Sequence, residues 1–113
     1  MAYEVNGKTL ETTATGYLVN QEEWDKSVAE VIAKQEGISL TQRHWDLLDY
    51  LRDMYLNHNG ELPNNRAILK AMQEKWGEKK LEQKALFDLF PGNPSKQAGK
   101  IAGLPESMRK GGY

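Results

Sequence analysis

Residues 37–77 read GISLTQRHWDLLDYLRDMYLNHNGELPNNRAILKAMQEKWG. Two apolar stripes at helical spacing, each behind a capping residue and each stopped by glycine or proline, predict a pair of amphipathic helices. In the first, Thr41 is the expected cap, Leu40 packs on Trp45 as a hydrophobic staple, and the stripe runs Trp45, Leu48, Leu51 and Met54 or Tyr55. Gly60 and Pro63 forbid its continuation through NHNGELP, residues 57–63. In the second, Asn64 or Asn65 caps, Ile68, Leu69, Met72 and Trp76 line up, and Gly77 breaks the helix.

Working outward toward the N-terminus, an earlier helix is predicted to start at Asn20, with Glu23 completing a capping box. Its stripe is Trp24, Val28, Val31 and Ile32, and it stops before Gly37. Before it, YEVNGKTLE, residues 3–11, places Asn6-Gly7 between two short runs, the preferred pair for a type I′ hairpin. A second turn at Thr15-Gly16 precedes YLV, so residues 1–19 predict a hairpin or a three-strand meander that needs a helical cover.

Toward the C-terminus, Lys79 to Phe90 predicts a helix with Leu81, Ala85, Leu86 and Leu89 inward and Lys79, Lys80, Glu82 and Lys84 outward, ended by Pro91. Only a short turn separates it from the helix before, which is helix-turn-helix spacing. A last helix, Ser95 to Ala102, stops at Gly103 and Pro105. Residues 104–113 then form a basic arm, expected to be flexible. The expected fold is α+β, mainly α: a small N-terminal β-hairpin or meander on about five helices, one pair helix-turn-helix-like, with a C-terminal arm. No repeat or long linker divides the 113 residues, so one domain spanning 1–113 is predicted.

A net charge of −1 argues against a wholesale polyanion binder. No apolar run approaches the roughly 18 residues a spanning helix needs, and the N-terminus lacks a signal-peptide pattern, so no membrane partner and a cytoplasmic location are expected. The sequence contains no cysteine. That excludes disulfides, thiolate nucleophiles, Cys-ligated zinc and sulfur carried on a side-chain thiol.

His44 and His58 lie at opposite ends of one predicted helix, without the carboxylates that would complete a metal site, so no metal and no cofactor are expected. His44 is expected to be a solvated or packing residue, and His58 suits a helix C-terminus. Trp24, Trp45 and Trp76 fall on apolar stripes and read as core. Lys79, Lys80 and Lys84 are the candidate phosphate contacts of a DNA-reading helix, diluted by Glu74, Glu78, Glu82 and Asp88. Arg66 sits near a helix start, against the dipole, as a salt-bridge or partner-contact residue.

The stretch ALFDLFPGNPSKQAGKIAGLP, residues 85–105, together with GISLTQRHWDLLDYLRDMYL and LPNNRAILKAM, resembles the DsrC/TusE (DsvC) family of sulfur-relay proteins, which includes the gamma subunit of dissimilatory sulfite reductase. The resemblance runs from Tyr17 to Pro105. It implies a small β element on a helical array and a C-terminal arm whose penultimate cysteine takes up persulfide sulfur, for tRNA thiolation or for a sulfite reductase. Counted from the AGLP proline, that cysteine falls on Lys110; counted from the chain end, it falls on Gly112. The second cysteine of the sulfite-reductase branch, after KQA, falls on Gly99. The family's Lys-Pro after AGLP has become Glu106-Ser107, and the arm is two residues longer, a pattern of divergence rather than of thiol deletion.

Lysine and glycine cannot form a persulfide, so the relay step of the family, and with it an enzymatic role, is not expected. Three readings follow. The first is a non-catalytic, partner-binding or regulatory paralogue that meets a sulfite reductase or a sulfurtransferase-like protein through Arg109, Lys110 and Tyr113 of the arm and through Lys96, Lys100 and Arg66. The second is a DNA-binding regulator. The third is an accessory sulfur-relay subunit whose partner supplies the thiol.

Overall fold

The computed structural model describes residues 2–106. Strands β1 (Ala2–Val5) and β2 (Lys8–Glu11) pair antiparallel, Val5 opposite Lys8 and Ala2 opposite Glu11. Asn6 and Gly7 both take positive φ, 51° and 81°, as a type I′ turn requires. The third strand of a meander does not form among the described residues. After a tight turn closed by the Gly16 N–H on the Thr13 carbonyl, the chain makes one antiparallel bridge, Thr12 to Leu18. Tyr17 and Leu18 are buried there and cover the core instead of extending the sheet, while Val19 is exposed.

Five α-helices follow among the described residues: α1 (Lys26–Gln35), α2 (Gln42–Asn57), α3 (Asn65–Trp76), α4 (Gln83–Leu89) and α5 (Pro94–Ile101). The fold is thus α+β and mainly helical. Asn64 caps α3 by accepting from the Ala67 N–H at 2.9 Å, and Gly77, at φ 65°, ends it in the left-handed region. Two predicted starts move. Asn20 caps only a single 3-10 turn, Gln21–Glu23, and α1 begins at Lys26, where the Asp25 carboxylate accepts from the Val28 N–H at 3.0 Å. Trp24 is extended between them, off the α1 stripe, because its ring is engaged at the far end of the chain.

Helix α4 starts at Gln83 and not at Lys79. The Leu81 carbonyl, which an earlier helix would use internally, accepts instead from the Gln73 amide at 2.9 Å. Lys79 and Lys80 therefore lie in the 77–82 connection, and Lys84 alone is on the helix. Within that connection Glu78 pairs with Arg43 of α2. The lysines do not share a helix face, and α4 has seven residues, so the geometry gives a DNA-reading helix-turn-helix no support.

Helix α5 is the centre of the array and packs against α1, α2, α3 and α4. Ala98, Ile101 and Ala102, with Leu104 beyond, join Val28, Ile32, Leu47, Leu48, Leu51, Ile68, Met72, Leu86 and Phe90 in one core. Trp45 and Trp76 are only half-buried and pack on its edge, each under a cation: Lys26 over Trp45 and Arg43 over Trp76. His44 is buried, with Nδ1 accepting from the Thr41 backbone N–H at 3.0 Å and Nε2 donating to the Leu89 carbonyl at 2.9 Å. It is a tie between α2 and α4 rather than a solvated residue. His58 stands exposed at the α2 C-cap, 3.8 Å from Asp53. Among the described residues no helix is long and apolar enough to cross a membrane.

Candidate functional site at the root of the C-terminal arm

The start of α5 is set by polar side chains that the core encloses. Asn65, on the first turn of α3, donates through its amide to the Asn93 side chain at 3.0 Å and accepts from the Ser95 N–H at 2.8 Å. Gln97 accepts from the Gly92 N–H at 2.7 Å and donates to Glu36, the C-cap residue of α1, at 3.1 Å. Asn65 and Gln97 are both buried and satisfied, so they fix register more than they add stability.

Along its length α5 presents Gly99 to a shallow cleft lined by Tyr17, Leu62, Pro63, Ser95, Leu104 and Pro105. Gly99 is buried, yet a Cβ built on it meets nothing within 4 Å. Space for a Cβ therefore exists at the position on which, by the resemblance, the second cysteine of the sulfite-reductase branch is expected to fall. Tyr17 closes one wall, donating its hydroxyl to the Lys96 carbonyl at 3.0 Å under the Lys100 ammonium, which is 5.5 Å from the ring. Burial, reinforced by the Glu106 and Glu36 carboxylates, pushes the Tyr17 pKa up to about 12, so the phenol stays a proton donor at neutral pH. Lys100 also faces Glu36 at 3.6 Å.

The end of α5 is held on every side. The Leu104 N–H donates to the Gly99 carbonyl at 3.0 Å and the Gly103 N–H to that of Lys100 at 3.1 Å, a Schellman pair around left-handed Gly103. The next two carbonyls go to side chains: Ile101 accepts from the Trp24 indole at 2.8 Å, and Ala102 from the Arg52 guanidinium at 2.7 Å. Arg52 lies over the Trp24 ring, 3.9 Å from its centroid. A Cβ on Gly103 would overlap that ring. Beyond Pro105, Glu106 accepts from the Thr15 hydroxyl at 2.7 Å.

Of the residues singled out in the sequence, Lys96 and Lys100 lie on α5 beside the cleft. Arg66 is exposed on the first turn of α3, next to Asn65. Gly99 lines the cleft, while Arg109, Lys110, Gly112 and Tyr113 lie outside the described residues. Sequence reasoning missed Arg52, Gln97 and the engagement of Trp24 and Tyr17, and named Asn65 only as an alternative cap of α3 and not for its ties to Asn93 and Ser95. The one local signal was the stop at Gly103 and Pro105, which marks a helix end that needs donors but does not say where they come from.

A small hairpin on a helical array that centres on α5 defines a fold family, and the family described as DsrC like protein matches residues 4–109. The chain belongs to the DsrC-like family. Proteins named Sulfurtransferase TusE from Pectobacterium atrosepticum and Escherichia coli K12 are 43% identical over 106 residues and 46% identical over 103. The matches cover 94% and 91% of this chain and 96% and 94% of theirs. Among solved structures, DsrC from Allochromatium vinosum superposes with a TM-score of 0.85 at 40% identity, over 96% of this chain and 98% of that one. The oxidised gamma-subunit of the dissimilatory sulfite reductase from Archaeoglobus fulgidus gives 0.87 at 34% identity, with the same coverage.

Proposed function

We propose that this chain is a non-catalytic, partner-binding or regulatory member of the sulfur-relay family, offering its arm to a sulfite reductase or sulfurtransferase-like protein without sulfur to deliver. The observation that carries the reading is the absence of any cysteine from a chain whose arm root is complete. Persulfide transfer requires a sulfur nucleophile, and neither Lys110 nor Gly112 nor Gly99 provides one. Yet the core residues of α5, the Schellman pair and the donors on Ile101 and Ala102 are all present, as an arm that still docks requires. Lys96 and Lys100 beside the cleft, exposed Arg66, and Arg109, Lys110 and Tyr113 of the arm are the partner-facing residues in this reading.

One experiment with two readouts tests it. The full chain and a version ending at Pro105 are used as bait in the native cell extract, and the full chain is separately incubated with a persulfide-loaded sulfurtransferase. The expected result is recovery of a sulfite reductase or sulfurtransferase by the full chain, weaker recovery by the shortened one, and no sulfur mass gained. A reductant-sensitive increase of one sulfur atom would restore a carrier role, and equal recovery by both baits would leave the arm without a task.

A further inference from the structure

We propose that Arg52 and Trp24 are positioning residues that set the direction in which the chain leaves the helical array after Leu104. A Schellman pair already terminates α5, since it satisfies the Gly99 and Lys100 carbonyls through backbone donors alone. The Ile101 and Ala102 carbonyls are the ones left over, and carbonyls at a helix end are ordinarily given to water. Here both are taken by side chains from distant parts of the chain, one from the segment between the 3-10 turn and α1, the other from α2.

The two donors also brace each other. The guanidinium lies 3.9 Å from the centroid of the indole ring, so rotation of either one displaces the other. A planar guanidinium can stack and donate at the same time, which an ammonium cannot do as well. Gly103, at φ 73°, rests against the same ring with no room for a Cβ. The peptide planes on both sides of Ala102 are therefore referred to two other elements of the fold. Helix termination does not need this arrangement, whereas a fixed exit does. Asp49, one turn before Arg52 on α2, supports its charge, while burial pulls its pKa down from the ordinary arginine value.

The inference deepens the reading in which the arm meets a partner, and it is tested without one. Because the chain has no cysteine, Lys34→Cys on α1 and Ser107→Cys just past the root create the only two thiols for spin labels. Distances between the labels are measured by double electron–electron resonance in the full chain, alone and with Arg52→Met, Arg52→Lys or Trp24→Phe. Arg52→Met is expected to broaden the distance distribution and shift its mean, Trp24→Phe to do so less, and Arg52→Lys to fall between Arg52→Met and the parent. Helical circular dichroism is read on each sample, and should Arg52→Met lose it, Arg52→Lys and Trp24→Phe carry the comparison. A purely structural role would lower the melting temperature while leaving the distribution of the folded protein superimposable on the parent's, and that outcome overturns the proposal. Loss of partner recovery on shortening the arm is a separate measurement, so the clamp and the docking reading fail independently.

Discussion

Gly99 and Gly103 stand one helical turn apart at the end of the array and answer to opposite demands. Gly99 has helical backbone and open space where a Cβ would go, so nothing in its packing calls for glycine. Gly99→Ala is expected to stabilise the fold by roughly 0.5–1 kcal/mol, the usual gain for replacing a helical glycine, and to raise the melting temperature by about 2–5 °C. Gly103 combines a left-handed φ with contact on the Trp24 ring, and Gly103→Ala is expected to cost at least about 2 kcal/mol. Paired thermal melts check both, and a fall for Gly99→Ala would mean that the cleft needs to stay empty. At this scale Gly103 was legible in the sequence as a helix stop, because the glycine and the following proline act locally. Trp24 was misread as stripe, because its acceptor, the Ile101 carbonyl, lies 77 residues away and no periodicity points to it.

The elements are joined by ties of the same kind, of which His44 is the plainest. It accepts at Nδ1 from the backbone of the α2 cap, donates at Nε2 to the last residue of α4, and sets its ring edge-on to Phe90 at 5.0 Å. Burial lowers its pKa below the ordinary 6.5, with the Leu89 bond opposing in part. The unfolded chain therefore binds the proton more readily, so this contribution to stability is complete above about pH 6.5 and is lost as pH falls through the lower folded value. Urea midpoints from about pH 7.5 to 5 are expected to fall with acid in the parent and to flatten in His44→Gln; parallel profiles would remove the tie. The caps at Thr41 and Asn64 and the turn at Asn6-Gly7 were readable because each is a short-range pattern. The starts of α1 and α4 were not, because Asn20 competes with Asp25 and the Leu81 carbonyl is claimed by Gln73, choices made by tertiary contacts.

Taken as a whole, the molecule is arranged around its last helix. Ala98, Ile101, Ala102 and Leu104 are fully or almost fully buried, and the bonds of Tyr17 and Trp24 to α5 span 79 and 77 residues. The central place of α5 was not legible in the sequence beyond its resemblance, since an apolar face eight residues long does not say how many neighbours it serves and the order of packing is not a local property. A fragment covering residues 1–93 is expected to keep part of its helical circular dichroism but to lose a cooperative thermal transition, because α1, α2, α3 and α4 are left without the element they share. A sharp two-state melt of that fragment would show that the core does not depend on α5. The same arrangement has a consequence for biosynthesis. Translation delivers α5 after the hairpin and the other four helices, so their apolar faces wait uncovered on the ribosome, where chaperones find such surfaces. The pocket of donors around the end of α5 is thus assembled last of all, and a product that stops before α5 never acquires it.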